Sequence, residues 1–462
     1  MSYSRMSHEK LNRSIYLVSF IAALAGLLFG FDTGIISGAL LFIDADFVLT
    51  TAMKELIVSS VLIGAMMGSL TSGRLSDRLG RRKVMLVIAA LFFVGTLIAA
   101  LAPVFQLVIM GRILIGFAIG IGSYAAPLYI AEAAPAKWRG GLVSLNQLAI
   151  TIGILSSYII NFVFMDTQHA WRWMFLVGII PAVLLAVGML FLPESPRWLI
   201  KRARLVEALA TLKFLRSSDD VKEEFKEIEN SLKLKEASFG EIFSPWIRHV
   251  LFLGVFLGFL QQITGINTII YYAPTIFKMA GFQDTSNALI ATIGIGVVNV
   301  LATILAILLI DKLGRRPLLF FGLVGMSLSL LCLSFTFHRG LDAQHLQYFA
   351  VASIFIYIIS FACSMGAILW LMVSEIFPLE VRASAMSVAV FSCWFWNFVV
   401  SFTFLTLINF LGPSNTFLLY ALMTLLGLLA SYYFVPETRG VSLETIERNI
   451  RSQAPLRKLG LP

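Results

Sequence analysis

Asp77-Arg78-Leu79-Gly80-Arg81-Arg82-Lys83 joins two apolar stretches, and Asp311-Lys312-Leu313-Gly314-Arg315-Arg316-Pro317 joins two more, 234 positions later (311 − 77). Two further pairs keep the same order. Glu132-Ala133-Ala134-Pro135 with Arg139 returns as Glu375-Ile376-Phe377-Pro378 with Arg382, an offset of 243 (375 − 132). Pro193-Glu194-Ser195-Pro196-Arg197 returns loosely as Pro436-Glu437-Thr438-Arg439, again 243 apart (436 − 193). Three motifs in one order at a nearly constant offset mark a duplicated unit.

Composition fixes the solvent. The chain has 462 residues, of which 58% are hydrophobic and 13% charged, and its mean hydropathy is +0.88. Soluble domains carry about 25% charged residues, so most of this surface faces lipid. Apolar runs of about 18 residues or more recur along the chain, each long enough to cross a core of roughly 30 Å. Backbone groups in lipid must be satisfied within the segment, which makes these runs helices. Spans are predicted near 15–40, 56–75, 84–102, 106–131, 141–164 and 172–192, then near 249–279, 285–310, 318–337, 348–376, 383–410 and 414–434. The expected fold is an all-α integral membrane protein, with twelve transmembrane helices in two six-helix pseudo-repeats. The division is 1–192, a linker at 193–247, 248–440 and a tail at 441–462. Parallel repeats of this size build many secondary transporters.

A net charge of +9 and a pI near 9.5 would suit a nucleic-acid binder. The placement of the charge argues otherwise. Arg5, Lys10 and Arg13 precede the first span, Arg74 to Lys83 follow the second, and Lys137 and Arg139 the fourth. Arg197 to Arg204 follow the sixth, Lys312, Arg315 and Arg316 the eighth, Arg382 the tenth, and Arg439 and Arg448 the last. The intervening loops hold only Lys54, Arg172, Lys278 and Arg339. That alternation places both termini in the cytoplasm. The basic-then-apolar N-terminus lacks a small-residue cleavage site and reads as an uncleaved first span. Cys332, Cys363 and Cys393 lie in apolar runs, without metal-ligand spacing, and read as small packing residues. From Leu205 to Lys235 the linker places Leu209, Leu212, Leu215, Phe225, Ile228 and Leu232 at helical spacing, which predicts two or three short amphipathic helices.

Polar residues inside apolar runs are the candidate site. Asp32 follows Gly30-Phe31 in the first span and costs several kcal/mol there unless hydrated, paired or protonated. Arg112 in the fourth span has two placements open to it: an intramembrane partner for an acid, or an interfacial residue that snorkels. Gly116, Gly120 and Gly122 nearby read as close-packing positions. The fifth span carries Asn146-Gln147. The seventh carries Gln261-Gln262-Ile263-Thr264-Gly265-Ile266-Asn267, then Tyr271-Tyr272-Ala273-Pro274. Asn267 and Tyr271 share a helix face, while Gln262 lies about 140° away at 100° per residue. Gly265 and Pro274 mark places where the helix can deform. Asn299, Trp370, Trp394, Trp396 and Asn397 lie in later spans. Amides for hydroxyls and an aromatic ring for a C–H face are what a sugar requires.

These residues, with Pro127-Leu128-Tyr129 before Glu132, Trp198 after Arg197 and Gly440 after Arg439, make the chain resemble the sugar porter family of the major facilitator superfamily. The likeness runs from about Ser14 to Glu444. It implies two six-helix domains with a site between them, and sugar contacts at Gln147, Gln261, Gln262, Asn267, Tyr271, Asn299, Trp370, Trp394 and Asn397. It implies a cytoplasmic charge network of Arg81, Glu132, Arg139, Glu194, Arg315, Glu375 and Arg382 that holds an inner gate shut when the site faces outward. Proton-coupled members carry an acid where Asp32 stands, so Asp32 and Arg112 are expected to bind and release the coupled proton. Burial and a neighbouring cation act in opposite directions on an acid's proton affinity. Three departures stand out: Ile154 and Cys393 replace amides seen in relatives, and Ala367 replaces a proline, which should weaken a kink in the tenth helix.

The expected activity is proton-coupled monosaccharide symport, of a pentose or hexose, by a monomer in a bacterial-type inner membrane. No cofactor or metal is implied. A facilitative uniporter of the same fold is the first rival, disfavoured by Asp32. A membrane sugar sensor and a membrane enzyme come next. About 14 residues precede the first span where sensors carry long extensions, and no nucleophile–base pair is evident.

Overall fold

Glycine spacing sets how the first helices meet. Span 1 is Arg13–Asp46, and Gly26, Gly30, Gly34 and Gly38 fall every four residues along one of its faces. That face lies on span 5, Arg139–Val163. A Cβ at Gly26 would stand 2.7 Å from the Asn146 carbonyl, and Cβ atoms at Gly30, Gly34 and Gly38 would collide with the Ile150 carbonyl, Ser157 and Asn161. Span 2 (Thr51–Leu79) and span 4 (Phe105–Ala133) interlock likewise, with Gly116 and Gly120 against the Val61 and Ala65 carbonyls. Lipid supplies no hydrophobic drive between helices, so such backbone approaches supply the van der Waals energy of association. Gly122 stands 3.7 Å or more from its neighbours and does not share in this packing.

The structure is a computed structural model that describes residues 13–135, 137–216, 221–232, 239–339, 343–378 and 380–461. Eleven helical segments among them are long and apolar enough to cross a membrane. The last, Arg382–Phe434, has 53 residues. At 1.5 Å per residue it would reach about 80 Å, far beyond a bilayer core. It breaks at Gly412 (φ 79°, ψ 162°), just before Pro413, into span 11 (382–411) and span 12 (413–434). Twelve spans result, as the hydropathy predicts. The others are span 3 (Arg81–Ala100), span 6 (Ala170–Phe191), span 8 (Thr285–Leu313) and span 9 (Arg315–Arg339), with spans 7 and 10 each interrupted.

Span 7 runs as Arg248–Ile263, Ile266–Tyr271 and Ala273–Met279. The first break is Gly265, at φ 87°, where a side chain would be strained. The second is Tyr272, two residues before Pro274. Span 10 runs as Ala343–Ala362 and Met365–Ile376. It breaks at Ser364 (φ −129°, ψ −96°) although Ala367 replaces the usual proline. The interruption of this helix thus does not depend on a proline at 367. The break sits three residues before Ala367, and Ser364 itself bonds back to the Ser360 carbonyl at 2.6 Å.

Spans 1, 4 and 5 pack together, as do spans 2, 3 and 4, while span 7 packs on span 11 and span 9 on spans 10 and 12. Span 2 meets span 11 and span 5 meets span 8 across the two halves. The linker forms three short α-helices, Pro196–Lys201, Leu205–Arg216 and Lys222–Ser231, with the first capped by Ser195. Phe225, Ile228 and Leu232 cover Trp198, Leu199, Ile200 and Ala208, so the helical spacing has its apolar partner. Lys233 to Lys235, at the end of that predicted stretch, and Arg5 and Lys10 lie outside the described residues.

Gly30→Val should force spans 1 and 5 apart, because overpacking costs about 1–3 kcal/mol or more. The expected result in detergent is a clear loss of monodisperse protein and a melting temperature lower by several degrees. Gly73→Ala, where a Cβ meets nothing within 4 Å, should leave both unchanged.

Candidate functional site

Span 1 carries an acid into the protein interior and span 4 brings the cation. Asp32 is 2% exposed and Arg112 fully buried. Arg112 Nη1 donates to Asp32 Oδ1 at 3.2 Å and Nη2 to Oδ2 at 3.5 Å, while Nε donates to the Ile57 carbonyl at 2.7 Å. The Val58 carbonyl lies 3.4 Å from Nη2, and the guanidinium stands 5.9 Å from the Phe175 ring. Of the two placements open to Arg112, snorkelling is the one the fold rejects. The guanidinium's shortest bond is to a span 2 carbonyl. Its bonds to the acid exceed the 2.7–2.9 Å or so usual for charge-assisted contacts.

The break at Gly265 rearranges the amides of span 7. On an unbroken helix Gln262 and Asn267 would face apart. Here Asn267 Nδ2 donates to Gln262 Oε1 at 2.6 Å. Gln262 Nε2 in turn lies 3.1 Å from both Gln261 Oε1 and Cys393 Sγ, and Gln261 Nε2 donates to the Met365 carbonyl at 2.9 Å. The Cys393 thiol reaches Gln261 Oε1 at 3.3 Å. Cys393 is therefore more than a packing residue: its thiol joins the amide network as a weak donor. One turn along span 11, Asn397 Nδ2 donates to Tyr271 Oη at 3.4 Å and Asn397 Oδ1 accepts from Ser401.

Trp394 couples this cluster to span 1. Its ring lies 5.3 Å from that of Phe29, three residues before Asp32, and the Ile266–Tyr271 segment also packs on span 1. The Trp394 indole N–H is buried with no acceptor among the described residues, one of several such buried polar atoms. Buried donors are nearly always paired, which leaves this one, beside the amide cluster, free to meet a ligand oxygen. Trp396 instead packs against Phe259 and Phe395. The structure thus brings together Gln261, Gln262, Asn267, Tyr271, Trp394 and Asn397. Gln147 and Trp370 are half-buried and Asn299 buried, and no hydrogen bond among the described residues joins them to the cluster.

On the face of the basic loops the duplication yields two matching constellations. Arg81 grips Glu132 through Nε and Nη2, both at 2.8 Å, and Ser195 Oγ donates to the same carboxylate at 2.5 Å. Glu194 accepts the Arg81 and Arg82 amides. In the second half Arg315 Nη2 donates to Glu375 at 3.0 Å, Thr438 Oγ1 donates to Glu375 at 2.5 Å, and Glu437 accepts the Arg315 and Arg316 amides. Burial raises the Glu194 carboxyl above the ordinary carboxylate range, against the opposing pull of the Ser195, Arg82 and Arg81 amides and the Arg81 charge.

Of the charge network that the resemblance implies for an outward-facing site, Arg81, Glu132 and Glu194 are joined in one half and Arg315 and Glu375 in the other. Arg139 donates to the Ala131 carbonyl and Arg382 to the Phe377 carbonyl, and neither pairs with a carboxylate among the described residues. Arg139 and Gly140 are exposed at the start of span 5. Each cluster holds its own half together, and Arg139 and Arg382 form no bridge between them. Ser195, Glu437 and Thr438 are partners that residue-by-residue reading misses. The 243 offset carries Glu194-Ser195 onto Glu437-Thr438 and was the available signal.

Twelve spans around a buried ion pair and a buried amide cluster define a multi-pass membrane transporter. The profile of the family described as "Sugar (and other) transporter" matches residues 18–450. The galactose-proton symporter of Escherichia coli strain K12 is 45% identical over 449 residues, covering 96% of each chain. The arabinose-proton symporter of the same strain is 40% identical over 449 residues, covering 96% of this chain and 95% of that one. The partially occluded, inward-open structure of the E. coli xylose transporter XylE superposes with a TM-score of 0.83 at 33% identity, over 93% of this chain and all of that one. The chain belongs to the sugar porter family of the major facilitator superfamily.

The two arginine environments make a direct contrast. Arg81→Ala strands a buried carboxylate, a loss of about 3–5 kcal/mol by comparison with other broken buried pairs, and should lower the melting temperature in detergent by several degrees. Arg139→Ala removes one exposed backbone contact and should leave it within a degree or two. A thermal shift series on the two purified variants checks this.

Proposed function

We propose that the chain is a proton-coupled monosaccharide symporter of a bacterial inner membrane, with both termini cytoplasmic. The positive-inside distribution supports that orientation. The two six-helix units, 1–192 and 248–440, rock about a sugar bound between them. The basic loops then lie inside, and the face where span 2 meets span 11 is external. A shut external face with separate charge clusters on the other favours an inward-facing state.

One observation carries the proton coupling. Asp32 and Arg112 share a dry site, and Phe29, three residues from Asp32, packs on the Trp394 ring of the amide cluster. Protonation of Asp32 breaks two long bonds, and the Ile57 carbonyl keeps the guanidinium in place. Sugar binding alone cannot drive accumulation, because equal affinity for both states shifts no equilibrium. Differential proton affinity of Asp32 in the two states supplies the drive. Gln261, Gln262, Asn267, Tyr271 and Asn397 supply hydroxyl partners and Trp394 a ring for the sugar's C–H face. Gln147, Asn299 and Trp370 complete the site from other spans. The galactose, arabinose and xylose transporters it resembles span a hexose and two pentoses, which supports a monosaccharide of either size.

Asp32→Asn tests the coupling. In proteoliposomes with an imposed pH gradient, the variant should lose uphill uptake entirely while sugar exchange at equal pH continues. The external alkalinisation that follows sugar addition should vanish with it. Undiminished accumulation would overturn the assignment. Competition by pentoses, hexoses and inositol against uptake identifies the sugar.

A further inference from the structure

At the face opposite the basic loops, a second acid is buried between helices of the two halves. Glu55, near the start of span 2, is 2% exposed. Its Oε1 accepts the Thr406 backbone N–H at 2.7 Å and its Oε2 accepts the Thr406 hydroxyl at 2.8 Å. One turn along each helix, Asn409 Nδ2 donates to Thr51 Oγ1 at 3.1 Å. Lys54 turns away to Asp44, and no cation pairs with Glu55 among the described residues. A helix-interior N–H ordinarily bonds the carbonyl four residues earlier. At Thr406 a carboxylate from the other half accepts that N–H. Charge-assisted bonds of this kind are about twice as strong as neutral ones.

We propose that Glu55 and Thr406 form the latch that holds the far face of the transporter shut. Glu55 is a positioning residue: it does not touch the sugar site, and it acts by joining span 2 to span 11. The latch rests on the reading of the chain as a two-state transporter. For the site to open to the far face, the outer ends of these spans must part. Both Glu55 oxygens and the Thr406 N–H then pass to water. Burial of the carboxylate without a counter-charge keeps the closed state only marginally preferred, so the latch yields when the halves rock.

The test uses spin labels at Val48→Cys and Phe410→Cys in the full-length chain with Cys332 and Cys363 replaced by serine and the buried Cys393 of the amide network kept. Both positions are highly exposed at the far face, one in each half. The parent should show mainly the short inter-label distance. Glu55→Ala should raise the long-distance population about tenfold, the scale of one lost charge-assisted hydrogen bond. Glu55→Gln, which keeps the volume and one acceptor, should fall between, and Thr406→Val should add little to Glu55→Ala. An unchanged distance distribution in Glu55→Gln and Glu55→Ala, or fully additive effects of Glu55→Ala and Thr406→Val, would overturn the latch. Sugar uptake by the same preparations separates the two ideas: absent uptake in the parent refutes the transport reading, whereas the distance shift is scored without sugar.

Discussion

A guanidinium with no exposure to water governs the first half of this protein. Arg112 brings a charge into the bundle that lipid cannot solvate, so its nitrogens need protein acceptors. The Ile57 and Val58 carbonyls and the Asp32 carboxylate give each of them at least one. That requirement fixes spans 1, 2 and 4 relative to one another. The glycine contacts are its steric counterpart: a side chain at Gly116 would meet the Val61 carbonyl and push span 4, with Arg112, away from the span 2 carbonyls it bonds. Packing and electrostatics thus impose one geometry, and neither would hold without the other.

Duplication extends the same logic to the basic-loop face. Glu132 and Glu375 each take an arginine from the start of span 3 or span 9 and a hydroxyl from the motif beyond the sixth or twelfth span. Glu194 and Glu437 each cap the first amides of a helix that begins Arg-Arg. Carboxylates at helix N-termini complement the helix dipole. Two copies of one constellation let each half remain rigid while the halves move. The second half uses its copy to flank a different interior, with amides in place of an ion pair. Sequence drift between the repeats has thus left a buried ion pair in one half and a buried amide cluster in the other.

Much of this was legible in the residues. The twelve spans, the repeat, the linker helices and the polar positions in spans 1, 4 and 7 follow from hydropathy, offset and composition. The misses have physical causes. Helical projection separates Gln262 from Asn267, yet a single positive φ at Gly265 brings their side chains to 2.6 Å. Ser364 breaks span 10 without proline because its hydroxyl satisfies the Ser360 carbonyl. Cys393 looks apolar in a linear string, and only its neighbours make it polar. Glu55 passes unnoticed because it lies near a predicted span boundary, where acids are expected to be hydrated. Its burial depends on a residue 351 positions away.

The two faces are held by different chemistry. On the basic-loop face the strong ion pairs lie inside each half, so they contribute equally whether or not the halves touch there. Arg139 and Arg382 rest on carbonyls of their own half, contacts that water replaces at little cost. On the opposite face, the contacts named across the halves use one carboxylate, hydroxyls, amides and the Ile270 carbonyl taken by Tyr158. These bonds run from buried to exposed and carry no ion pair among the described residues. A net contribution near 1 kcal/mol per neutral bond gives a face that closes reversibly. Strong bonds within the halves and modest bonds between them are the distribution that rigid-body rocking requires. A buried ion pair spanning the halves would stabilise one state too far for a proton to shift it.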